Sequence, residues 1–306
     1  MRIGIVGLGR MGMNMAERML KQGQEVVAYN RSQDKVRELA TKGAIPAGST
    51  VELIAQLEAP RVVWLMLPAG DPTELHLFDT EYGVANLLSP GDIIVDGANS
   101  FFKDTQRRAP LITQRGIRFL DAKVSGGIVA KDFGYPVMMG GDQSAYDELR
   151  PALDALCLPT GAHGLFGPHG AGHFVGMVHN AIEYGMMQAM GEGFELLANG
   201  PYENFDLAGI ANLWNHGSIV DSFLMRMAEQ AFSEDQELSA IADYVDDTGE
   251  GRWSIQTAIE NDIPFSVITQ SLFTRIGSRQ NSSFQAKVLA ALRLKFGGHA
   301  VKPAAN

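Results

Sequence analysis

The sequence predicts an α/β domain with a doubly wound, mostly parallel sheet, followed by an all-α domain, and three observations carry that expectation. Short apolar, β-rich runs alternate with helically spaced segments through the first half of the chain. The first of those runs, Arg2 to Leu8, stops at a glycine-rich turn, GLGRMG, that opens a helix. Beyond the glycine-rich link Gly161 to Gly172 the strand signals stop, and only helical spacing remains. With 306 residues, 45% of them hydrophobic, the chain has material for two cores, and the expected division is 1–167 and 168–306.

Taken in order, RIGIVGL reads as a strand, GLGRMG as a turn, and Met15, Met19 and Leu20 as the inner face of the helix that follows. In that setting Gly7 permits the tight turn, Gly9 lets a pyrophosphate approach the helix N-terminus, and Gly12 allows close helix-to-strand packing. This is a Rossmann-type dinucleotide site, with Gly7, Leu8, Gly9, Arg10, Met11 and Gly12 as its candidate contacts. The second strand, Glu25 to Tyr29, runs into Asn30-Arg31-Ser32, where an NAD-selective site would offer a carboxylate to the ribose 2′-hydroxyl. Asn30 brings no charge to repel a 2′-phosphate, and Arg31 and Ser32 could bind one, so NADP is favoured or both cofactors are admitted.

Strand patterns follow at Arg61 to Met66 and Asp92 to Asp96. Each ends in a loop, Leu67-Pro68-Ala69-Gly70 and Gly97-Ala98-Asn99-Ser100, on the sheet edge where ligands bind in open α/β folds. Leu67, Pro68, Ala69 and Asn99 therefore join the cofactor candidates. IRFLDA then leads into Lys123-Val124-Ser125-Gly126-Gly127, a strand running into residues small enough for close backbone approach. The run YPVMMGG and a helix from Gln143 to Leu156 complete this domain.

The second domain opens on Gly172 to Gln188, GHFVGMVHNAIEYGMMQ. As a helix, Gly176, His179, Asn180 and Glu183 share one face, with Tyr184 beside them. The other positions are apolar on several sides, as in a helix buried inside a domain. Such a polar stripe is either satisfied by neighbouring backbone or belongs to a site. Further helices are expected at Leu207 to Trp214, Ile219 to Phe232, Glu237 to Tyr244, Ser254 to Glu260, Phe265 to Ile276 and Ser283 to Phe296.

The formal net charge of −10 argues against nucleic acid or anionic membrane as partners, so an anionic substrate must be held by local arginines. Cys157 is the only cysteine, which leaves no disulfide framework or thiolate metal site. No metal site is expected, and Cys157 reads as inert packing. Without a basic segment and apolar run at the N-terminus, or a membrane-length apolar stretch, a cytoplasmic location is expected. Val301 to Asn306 reads as a loose tail.

The pieces GLGRMG, LMLPAG, IIVDGANS, VSGG, NHGSI, GEGRW and ALR..FGGHAV, together with the polar helix, resemble the decarboxylating 6-phosphogluconate dehydrogenases, especially their shorter form. The resemblance implies C3 oxidation of 6-phosphogluconate by hydride transfer to NAD or NADP, loss of carbon dioxide, and protonation of the enediol to ribulose 5-phosphate. It implies Glu183 as the acid. Asn99, Ser125, Gly126, Gly127, His179 and Asn180 match positions that hold the sugar acid, with Asn180 also counted in the catalytic set. Tyr184, Arg275, Arg293 and His299 match positions that hold the phosphate. The last two come from a neighbouring subunit in that family, which implies a homodimer or a dimer of dimers.

One departure stands against these matches. Where the family carries a lysine in FVKMVHN, this chain has Gly176, which cannot move a proton and costs roughly 1 kcal/mol against alanine inside a helix. Lys123 precedes Ser125 by two on a strand end, so both should point to one face, and the amine could enter the same site from there. The rival readings are an inactivated cofactor-binding homologue, an ordinary exposed lysine, or a β-hydroxyacid dehydrogenase or imine reductase with another substrate.

Overall fold

The structure is a computed structural model and describes residues 1–303; the last three residues of the tail expected to be loose lie outside the described residues. It separates into two compact units, Met1–His179 and Asn180–Asn306.

The first unit runs β1 (Arg2–Val6), α1 (Arg10–Lys21), β2 (Glu25–Tyr29), α2 (Gln33–Ala40), β3 (Ile45–Pro46), α3 (Thr50–Ala55) and β4 (Val62–Leu65). It continues through α4 (Asp71–Phe78), α5 (Val84–Leu87), β5 (Ile93–Asp96), α6 (Phe102–Thr113), β6 (Arg118–Val124) and α7 (Ala130–Phe133). Then come β7 (Val137–Gly141), α8 (Gln143–Cys157), β8 (His163–Leu165) and α9 (Ala171–Asn199), whose C-terminal part belongs to the second unit.

The eight strands form one sheet in the order β3-β2-β1-β4-β5-β6-β7-β8, parallel except for the β6–β7 pair. The doubly wound α/β fold expected from the sequence is thus present. Its central strands are mostly apolar because both faces are covered. Ile3, Ile5, Val26, Ala28, Trp64, Val95 and Leu120 pack in one core cluster, while Val6, Val27, Val63, Leu65, Ile94 and Phe119 pack in another. Alternate residues of single strands divide between the two clusters, as the period-2 geometry of a strand requires. The order of successive strands switches sides between β1 and β4, and in open α/β folds ligands bind at the strands' C-terminal edge beside such a switch point.

Two short strands went unseen in the sequence. β3 has only two residues, and β8 lies inside the glycine-rich link, where its pattern is too short to register. Cys157 is buried in α8, and burial pushes its thiol up to about 12, so it is inert packing as expected.

The second unit, among the described residues, is helical: the rest of α9, then α10 (Leu207–Trp214), α11 (Phe223–Glu234), α12 (Glu250–Glu260), α13 (Ser266–Ser278) and α14 (Phe284–Gly297). The helix expected over Glu237 to Tyr244 is absent. Leu238 adopts φ +50, and Asp235 takes a hydrogen bond from the Glu237 amide at 3.1 Å and another from the Ser239 hydroxyl at 2.8 Å. Those local side-chain bonds stabilise a turn in competition with the helix that the apolar spacing suggested. Helix α11 starts at Phe223 rather than Ile219 because the Ser222 hydroxyl caps it through the Met225 amide.

The expectation of a buried α9 also needs correction. Phe174, Ile182, Met186, Met187 and Leu196 are exposed on it, so its apolar positions exceed what one chain covers. No helix among the described residues is long and apolar enough to cross a membrane.

Candidate active site

Two glycines of GLGRMG have the steric roles expected of them. Gly7 takes φ +100 after β1, which an L side chain rarely adopts, and a Cβ at Gly12 would collide with the Gly7 carbonyl and approach Met66 Cβ at 3.0 Å. Gly9 is different: a Cβ there would meet nothing, so the backbone at the start of α1 faces open space. Gly9 caps α1 without a side-chain hydrogen bond, leaving first-turn N–H groups for an anion. Leu8, Arg10 and Met11 belong to this same turn, which fits a dinucleotide pyrophosphate.

Asn30 follows β2 and is turned inward. Its Oδ1 accepts from the Leu8 amide at 2.9 Å and its Nδ2 donates to the Ser32 carbonyl at 3.1 Å, so it braces the glycine turn. Arg31 and Ser32 are exposed beside it. In the loop after β4, the Pro68 carbonyl accepts a hydrogen bond from the Thr73 hydroxyl at 2.8 Å, and Gly70 at φ +81 starts α4, which braces the loop holding Leu67, Pro68 and Ala69.

The loop after β5 holds Asn99 and is braced by a carboxylate that the sequence reading did not single out. Asp96 is fully buried; it accepts from the Ala98 amide at 3.1 Å, from Ser100 Oγ at 3.1 Å and from Arg108 at 3.2 Å. From β6, the Lys123 amine donates to Asn99 Oδ1. The Lys123 stem lies against α9 at Gly176, where a Cβ would collide with the lysine's Cβ and Cγ and stand 2.9 Å from its Cδ. Two residues on, Ser125 Oγ is 3.3 Å from His179 Nε2. Lys123 and Ser125 therefore both face α9, as their spacing implied. Gly126 and Gly127 turn the chain away at φ +97 and φ +62.

Helix α9 is anchored by a second overlooked carboxylate. Asp121 on β6 is fully buried and accepts from the amides of Gly170 at 2.7 Å and His173 at 2.8 Å, capping the helix start. That pins the end of α9 carrying Gly176 and His179 to the sheet.

In the second unit, Asn180 Nδ2 donates to Glu250 Oε2 at 2.7 Å, which also accepts from the Thr248 hydroxyl at 2.9 Å. Glu250 is buried and opens α12; it lies in the GEGRW piece, yet nothing in its spacing announces Asn180 as its partner. The Arg275 guanidinium of α13 stacks on the Tyr184 ring, 3.6 Å from its centre, and donates to the Asp246 carbonyl at 3.1 Å. The Thr248 amide donates to Tyr184 Oη at 3.2 Å. Arg252 and then Arg279 grip Asp247 and lower its carboxyl to about 2, so the loop that meets Tyr184 and Arg275 is tied at its middle. Glu183 is half-buried, and its carboxylate makes no hydrogen bond or ion pair among the described residues.

Arg293 and His299 are not brought to this cluster by hydrogen bonds among the described residues. Both are exposed, on α14 and just beyond it, and α14 buries no residue.

Residues 2–161 match the NAD binding domain of 6-phosphogluconate dehydrogenase, and residues 172–300 match the C-terminal domain of 6-phosphogluconate dehydrogenase. The chain is 41% identical over 302 residues to an NAD(+)-dependent, decarboxylating 6-phosphogluconate dehydrogenase of Haloferax volcanii, covering 98% of each. It superposes with a TM-score of 0.82 and 27% identity on 6-phosphogluconate dehydrogenase from Plasmodium falciparum, covering all of this chain and 67% of that one. A 3-hydroxyisobutyrate dehydrogenase from Salmonella typhimurium shares the fold, at a TM-score of 0.71 and 23% identity, over 89% of this chain and 91% of that one.

Proposed function

The chain belongs to the 6-phosphogluconate dehydrogenase family, and from that premise we propose that it oxidatively decarboxylates 6-phosphogluconate to ribulose 5-phosphate and carbon dioxide, reducing NAD or NADP. The observation that carries this reading is the Tyr184–Arg275 stack beside the unpaired carboxylate of Glu183. A guanidinium fork matches phosphate oxygens, and an unphosphorylated β-hydroxyacid, whose one carboxylate is the group lost or held at C1, offers no second anion for it.

A bound dinucleotide supplies the acceptor for the C3 hydride, held by the Gly7–Gly12 turn and the Leu67–Ala69 loop. Asn99, Ser125, Gly126, Gly127, His179 and Asn180 hold the sugar acid; Tyr184 and Arg275 hold its phosphate. Once C3 is a ketone, its carbonyl can accept the electron pair of the C1–C2 bond as carbon dioxide leaves. Glu183 then delivers a proton to C2 of the enediol.

The active assembly is a homodimer or a dimer of dimers, with Arg293 and His299 of the partner subunit completing the phosphate site. Supporting this, α14 exposes Phe284 and Phe296 at 79% each, and α9 and α13 expose Ile182 and Val267. Large apolar side chains left exposed on these helices suit a surface that a partner covers.

The test is reduction of the cofactor with 6-phosphogluconate set against gluconate and 3-hydroxyisobutyrate. Activity with the phosphorylated acid alone supports the reading; equal or better activity with either other acid overturns it.

Cofactor choice is expected to lean toward NADP or to be dual, because Arg31 is exposed next to an uncharged Asn30. Arg31→Ala should lower kcat/KM for NADP and leave NAD nearly unchanged. A wild type preferring NAD by more than about a hundredfold, roughly 2.7 kcal/mol, contradicts it.

A further inference from the structure

Oxidising C3 requires a group that takes the hydroxyl proton as the hydride departs. On the face of α9 turned to β6, the residue placed to reach the sheet edge is Gly176, which has no side chain to do it. We propose that Lys123, presented from β6 rather than from the helix, is the base at C3. The proposal rests on the oxidative decarboxylation reading and deepens it.

Three observations point to Lys123. It is only 8% exposed, one residue from the end of β6, and its amine reaches across to Asn99 in the loop after the neighbouring strand β5. That is the edge where ligands of open α/β sheets bind. Its methylene stem occupies the volume that any side chain at 176 would need, so the lysine and the glycine are two halves of one arrangement. The third observation is directional: Ser125, on the same side of the strand, meets His179 of α9, so the amine and the His179–Ser125 pair line one surface. The buried amine is held at that edge by its hydrogen bond to Asn99 Oδ1.

The proton balance closes. In the oxidation the C3 O–H bond breaks as its proton passes to the Lys123 Nζ lone pair, the C3–H pair passes to the dinucleotide, and the C3=O bond forms. In the decarboxylation the C1–C2 pair flows toward O3, carbon dioxide leaves, and the Lys123 ammonium returns its proton to O3. In the final step Lys123 takes that proton again while Glu183 protonates C2, and solvent exchange then moves the proton from the lysine back to Glu183. His179 is the competing base, but it is exposed and engaged with Ser125.

Lys123→Met and Lys123→Ala should lower kcat with 6-phosphogluconate by at least about a hundredfold, while dinucleotide binding followed by fluorescence stays unchanged. Added primary amines should restore turnover to Lys123→Ala, in proportion to their basicity, but not to Lys123→Met. The pair Lys123→Gly with Gly176→Lys should regain part of the loss by carrying the amine on α9. A fully active Lys123→Met enzyme overturns the proposal alone. A lysine needed only for packing would give variants that no amine rescues and that lose dinucleotide binding, which overturns it as well. A wild type inert toward 6-phosphogluconate removes the reading beneath the proposal, and the proposal with it.

Discussion

Glu183→Gln is expected to lower kcat with 6-phosphogluconate by at least about a hundredfold, within the usual 10² to 10⁴ contributed by a general acid. Glutamine keeps the shape and the hydrogen-bonding capacity of the side chain but cannot give up a proton at C2. Because Glu183 has no hydrogen bond or ion pair among the described residues, the change should leave the stability of the fold nearly intact. The KM for 6-phosphogluconate should move little, since the proposed phosphate contacts are Tyr184 and Arg275 rather than this carboxylate. Carbon dioxide release should suffer less than ribulose 5-phosphate formation, because the lost proton is needed only after decarboxylation. Steady-state kinetics with separate assays of the two products check this, and a variant with unchanged turnover removes Glu183 from the mechanism.

The second large effect is recovery of activity from two inactive proteins. If Arg293 and His299 complete the partner's phosphate site, a hybrid of Arg293→Ala and Glu183→Gln subunits contains one site with both defects and one with neither. Mixing the two variants under conditions that exchange subunits should therefore raise activity well above either parent, toward the share expected for one intact site per hybrid dimer. The uncovered α14 and the distance in sequence between it and the Tyr184 cluster motivate the experiment. Mixed subunits shown to exchange, with activity no better than the parents, contradict a shared site.

Much of this arrangement is legible in the sequence because its determinants are local. The glycine turn is fixed by the positive φ of Gly7 and the close packing at Gly12, and the strands by apolar runs covered on both faces. The spacing of His179, Asn180 and Glu183 needs only a continuous helix, which α9 supplies. The braces are another matter. Asp96, Asp121 and Glu250 act by receiving hydrogen bonds from a loop, a helix start and a distant asparagine, and such partnerships exist only once the chain has folded. The turn at Asp235 shows the opposite failure: a local side-chain bond overrode an apolar period that read as helix. The exposure of α9 has a third origin, since apolar composition records that a surface is to be covered without recording whether its own chain covers it.

Carbon-13 at C1 of 6-phosphogluconate tests the central claim most directly, by following labelled carbon dioxide and reduced cofactor in the same reaction. An oxidative decarboxylase should release one labelled carbon dioxide for each cofactor reduced and leave unlabelled ribulose 5-phosphate. Cofactor reduced without labelled carbon dioxide, or no reduction with this substrate at all, would contradict it.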